Sequence, residues 1–169
     1  MLTSSNANVL SLSTKRAQIF LEDGRYHISM GDYETAVDYL QKSLQLSPSA
    51  EAYTYLGWVL SLRGETEEAI ELCMKAIRLE PEFGNPYNDI GSYLIKQGRL
   101  DDAIPWLKRA KEAPRYDTPH FPFINMGRIF SNQGKIDEAI EEFKEALALS
   151  PDYPEIVTVL HELEKIKNS

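Results

Sequence analysis

Apolar and polar residues alternate along this chain with the 3.6-residue period of α-helices, interrupted at regular points by glycine and proline. Between Gly84 and Pro114, the residues Tyr87, Ile90, Gly91 and Leu94 fall at steps of three and four and share one face of a first helix. Gly98 follows where a helix ends on a residue of positive φ. Asp101 and Asp102 open a second helix, where carboxylates meet unpaired amides and the positive end of the dipole. Ala103, Leu107 and Ala110 give that helix its own apolar stripe, and Pro114 forbids its continuation. Pro105 lies in its first turn or just past it, where a proline removes at most about one intrahelical bond. The predicted unit is two antiparallel helices joined by a short turn.

The same pattern recurs. Gly24, Gly57, Gly91 and Gly127 are spaced by 33, 34 and 36 residues. Each is followed seven residues later by a second glycine (Gly31, Gly64, Gly98, Gly134) and twelve residues later by an alanine (Ala36, Ala69, Ala103, Ala139). Pro48, Pro81 and Pro151 close three units at one offset, and Pro114 comes one residue early in the other. An aromatic fills the early slot of every unit: Phe20, Tyr53, Tyr87 and Phe123. Self-similarity at this period means a stack of like supersecondary units. Small residues such as Gly91 and Ala103 let the paired helices cross closely, since interaxial distance follows the side chains at the contact.

These slots resemble those of the tetratricopeptide repeat family. They read Tyr53, Leu56–Gly57, Gly64, Ala69, Cys73, Ala76 and Pro81 in the second unit, and Phe123, Met126–Gly127, Gly134, Ala139, Phe143, Ala146 and Pro151 in the fourth. The resemblance implies an all-α chain, a right-handed superhelical α-solenoid of four repeats over 17–49, 50–83, 84–117 and 120–153. A helix over 154–169 is expected to cap it, because Ile156, Val159, Leu160, Leu163 and Ile166 recur at helical spacing opposite charged residues. Residues 1–16 are polar and serine-rich and are expected to be flexible. Asp23 and His27 stand in slots that are apolar elsewhere, which suits a terminal repeat; a pH-sensitive Asp–His pair is the sharper alternative. The segment Arg115–Pro119, with prolines at 114, 119 and 122, is expected to be a stiff turn that alters the angle between units or serves as a contact loop.

Composition narrows the function. The net charge of −8 disfavours a nucleic-acid partner. One cysteine, Cys73, suits a reducing compartment and a buried apolar slot. No apolar run approaches the roughly 18 residues that cross a bilayer, so no membrane insertion and a cytoplasmic location are expected. His27, His120 and His161 lie in different units, and the acidic residues gather at helix starts, so no catalytic group, metal site or cofactor is expected.

The reading is therefore a non-catalytic adaptor that binds a peptide segment of another protein; the alternative is a self-associating scaffold, a homo-oligomer. Stacked pairs form an extended concave surface, and the resemblance implies that first helices line it. The positions left after removing packing slots are Gln18, Glu22 and Arg25; Glu51, Thr54, Tyr55 and Trp58; Asn85, Asn88, Asp89, Ser92 and Lys96; and Phe121, Ile124, Asn125, Arg128 and Asn132. Tyr55 and Trp58 are candidate anchors, although Trp58 could instead pack on a neighbouring helix. Asn88, Asn125 and Asn132 offer amides to a peptide backbone. The cationic clamp by which some members hold an acidic chaperone tail is not assembled: one frame gives Leu21, Arg25, Tyr55, Asn85 and Asp89, the other Thr54, Trp58, Asp89, Phe121 and Asn125.

Overall fold

The structure, a computed structural model, describes residues 4–168, with side chains from Ser11 onward. The described residues form nine helices: α1 (Ser4–Ser29), α2 (Tyr33–Leu46), α3 (Ala50–Leu62), α4 (Thr66–Leu79), α5 (Asn85–Lys96), α6 (Leu100–Glu112), α7 (Phe121–Asn132), α8 (Ile136–Leu149) and α9 (Pro154–Lys167). The chain divides after Pro81 into two compact units, α1–α4 and α5–α9. In each unit successive helices pack as pairs, and first helices lie beside one another, α1 by α3 and α5 by α7.

Small residues create the pairing. A Cβ built on Gly91 would stand 2.5 Å from Leu107 Cδ2, and one on Gly127 would meet the Phe143 ring at 2.7 Å. Leu107 and Phe143 are buried in the facing helices, together with Ala103, Ala110, Ala139 and Ala146. The turn inside each pair ends on a left-handed glycine; Gly98 has φ 75°, a conformation that costs a residue with a Cβ about 1–2 kcal/mol. Asp32 and Ser49 cap α2 and α3 through side-chain bonds from the amides of Thr35 and Ala52. Cys73 occupies a fully buried slot.

Four expectations are corrected or made more definite. Residues 4–16 are helical, continuing α1 without a break, because no glycine or proline interrupts them and Ser13 Oγ donates to the carbonyl of Leu46 at 2.9 Å; residues 1–3 lie outside the described residues. His27 pairs with Asp32 (Nδ1 to Oδ2, 3.2 Å) and stacks on Tyr39, so its acidic neighbour comes from the turn and not from Asp23. The α9 stripe is only partly covered: Ile156 and Leu163 are buried against Phe143 and Ile140, whereas Val159 and Ile166 stay exposed. The α6–α7 connection, finally, is fastened to the start of α5. The Gly84 amide donates to the Arg115 carbonyl at 2.7 Å, and the Arg115 amide to that of Glu82 at 3.2 Å. The Arg115 guanidinium lies 4.0 Å from the centre of the Phe83 ring, and Asp117 exchanges hydrogen bonds with Asn85.

Candidate functional site

In the first unit the site is built from α1 and α3. Arg25 donates to both carboxylate oxygens of Glu22 at 3.2 Å, and Gln18 donates to Glu22 from one turn earlier. The Arg25 guanidinium lies 5.3 Å from the centre of the Tyr55 ring, which joins the two helices on this face. One turn along α3, Trp58 is 38% exposed, although its neighbours Leu56, Gly57, Val59 and Leu60 are all buried. The ring is therefore on the accessible side of a helix whose packing face is already filled. Leu62, five residues after Gly57, is also exposed. Its slot matches Lys96 and Asn132, five residues after Gly91 and Gly127, so the repeat offset could have found it.

In the second unit several predicted residues satisfy one another. Asn125 Nδ2 donates to Asn88 Oδ1 at 3.0 Å, and both amides are 8% exposed, bridging α7 to α5. Asn85 is engaged by Asp117, and Asn132 donates back to the Arg128 carbonyl at 2.9 Å. Asp89 is partly buried; loss of hydration raises its pKa to about 7, opposed by a hydrogen bond from Asn88 and the charge of Lys96. Tyr116 from the fastened loop lies near this carboxylate, and burial first and Asp89 second push its phenol upward. Ser92 is half-buried, while Lys96 and Arg128 are exposed.

Besides Asn88 and Asn125, two positions expected to face a groove are buried and a third is half-buried. Thr54 is buried and donates to the Ala50 carbonyl at 2.8 Å. Ile124 belongs to the core with Ala139 and Phe143. Phe121 is half-buried against His120 and Tyr153. The cause is visible at the slot three residues before the repeat glycine: Leu21, Thr54, Asn88 and Ile124 are all buried. Among the described residues no three His, Cys, Asp or Glu side chains gather as a metal site requires, and no helix is long and apolar enough to cross a membrane.

Helix pairs of this geometry at this period define a protein of helical repeats. Sequence profiles of the tetratricopeptide repeat match residues 17–49, 50–83 and 85–116, and a TPR repeat profile matches 127–162. The chain belongs to the tetratricopeptide repeat family, whose members mediate protein–protein contacts and are typically non-catalytic. It is 26% identical over 166 residues to the type IV pilus assembly protein PilF of Pseudomonas aeruginosa, covering 96% of this chain and 66% of PilF. The PilF structure superposes with a TM-score of 0.86 at 24% identity, over 92% of this chain and 71% of that one. PilW, a type IV pilus biogenesis factor, gives 0.79 at 20% identity, over 89% and 69%. YrrB, a TPR protein with an unusual peptide-binding site, gives 0.63 at 25% identity, over 88% and 76%.

Proposed function

We propose that this protein is an adaptor that holds a short segment of a partner protein against α1 and α3, with Trp58 and Tyr55 as apolar anchors. The observation that carries the reading is the exposure of Trp58 on a helix whose packing residues are all buried. A wide aromatic ring held on a rigid helix offers contact area at little entropic cost. Beside it, Arg25 forms an exposed ion pair with Glu22 of its own helix and lies over the Tyr55 ring of α3. Such a pair contributes little to stability, so Arg25 can exchange Glu22 for a partner carboxylate. Support also comes from YrrB, whose related fold carries a peptide-binding site. The segment that fits is mixed in character: an apolar residue for Trp58 and Leu62, with an acidic group within reach of Arg25. We keep the cytoplasm as the proposed location, testable by cell fractionation.

The test compares the partners retained from native lysate by the wild-type chain and by the Trp58→Ala/Tyr55→Ala variant. A hot-spot truncation costs about 2 kcal/mol or more, so the specific partners should fall by well over tenfold while helical content is unchanged. Equal retention by the two proteins would refute the anchors.

A second reading is favoured by the likeness to PilF, which spans nearly the whole chain. In it the partner is a component of a type IV pilus assembly apparatus. Retention of pilus assembly proteins in the same experiment distinguishes this case.

A further inference from the structure

One face of α1 carries large apolar side chains that the described residues leave exposed. Ile19 and Tyr26 stand five residues before and two after Gly24. The residues in those slots elsewhere are Ala52 and Val59, Pro86 and Tyr93, and Pro122 and Ile129, and all are buried. In α3 and α7 this accompanies packing of the preceding helices α2 and α6. Among the described residues no helix precedes α1, yet the slots have kept large apolar side chains. Ile19 is 59% and Tyr26 61% exposed, and they continue into Leu12 at 61% and Met30 at 66%. Leu12, Ile19 and Tyr26 are spaced by seven residues, which aligns them in one stripe along the helix. Such a seam is suited to another helix.

The charges beside the stripe say which helix. Lys15 and Arg16 lie one turn before Ile19, and Glu22 and Asp23 one turn after it. We propose that α1 is the interface of a homodimer in which two copies pack their first helices antiparallel about a two-fold axis through Ile19. That axis sets Ile19 against its own copy, Leu12 against the partner's Tyr26, Lys15 against the partner's Asp23 and Arg16 against the partner's Glu22. Every charged contact then joins opposite signs, and the pattern is self-complementary, as an isologous contact requires. A parallel pairing would oppose Lys15 to Lys15 and Asp23 to Asp23, which costs affinity. The interface is independent of the peptide site; Glu22 alone borders both surfaces.

Equilibrium sedimentation of the full chain over a concentration series tests this, with circular dichroism reporting helical content for each variant. The wild type should fit a monomer–dimer equilibrium. Ile19→Glu should weaken it by at least about tenfold, because two like charges would meet on the axis. Lys15→Glu/Arg16→Glu should do the same, and adding Glu22→Lys/Asp23→Lys should restore the dimer. Ile19→Cys should yield a disulfide-linked dimer on mild oxidation. A wild type that stays monomeric, an assembly that grows past the dimer, or a folded fourfold variant that fails to re-associate would each overturn the proposal.

Discussion

Gly91 and Gly127 set the distance between paired helices, and each leaves no room for a methyl group. A Cβ at Gly91 would approach Leu107 to 2.5 Å, and one at Gly127 the Phe143 ring to 2.7 Å. Overpacking of this kind costs about 1–3 kcal/mol, more than the gain of up to about 1 kcal/mol in helix propensity from glycine to alanine. Gly91→Ala and Gly127→Ala should therefore both lower the midpoint of urea unfolding. Asp89 behaves differently. Burial raises its pKa from 3.8 to about 7, so the native chain holds this proton to higher pH than the unfolded chain does. Its effect on stability is absent below the unfolded value, grows as pH rises through the window from 3.8 to about 7, and is unfavourable and constant above it. Asp89→Asn should thus stabilise the protein at pH 8, with the difference from wild type closing towards pH 4, as read from unfolding curves at several pH values.

At the scale of elements, the α6–α7 connection and the α6–α8 contact carry testable interactions. Loss of the Asn85–Asp117 bonds in Asp117→Ala should cost about 0.5–1 kcal/mol and speed hydrogen exchange at the Gly84 and Arg115 amides, which bond across the same junction. Lys111 Nζ lies 2.7 Å from Glu142 Oε2 and 4.1 Å from the centre of the Phe123 ring, with the two side chains 21% and 15% exposed. Lys111→Met should cost about 1–2 kcal/mol by leaving Glu142 without its partner, and Lys111→Met/Glu142→Leu should recover most of that. What the sequence made legible follows the same division. Glycine, alanine and proline offsets located the helix pairs, because each offset reflects a local turn or a close crossing within one pair. Burial of Thr54 and Ile124, and the bond between Asn88 and Asn125, are not legible in the sequence, because the periodicity of one helix does not say which of its neighbours reaches that slot. The Tyr116–Asp89 neighbourhood was missed for a related reason. It depends on a loop fastened to the start of α5 by backbone bonds and by the Asn85–Asp117 pair, 32 residues apart, which helical periodicity does not encode.

At the scale of the molecule, the proposed binding surface is the accessible face of α3 with Tyr55, Trp58 and Leu62. In the second unit Asn88 and Asn125 satisfy each other, which leaves these amides less to offer a peptide backbone. The most direct measurement places a photo-crosslinking amino acid at Leu62, on this face, or at Glu71, exposed on α4, and illuminates cells producing the full chain. The account predicts a discrete protein adduct from position 62 and none from position 71. An adduct from position 71 alone, or equal adducts from both, would contradict it.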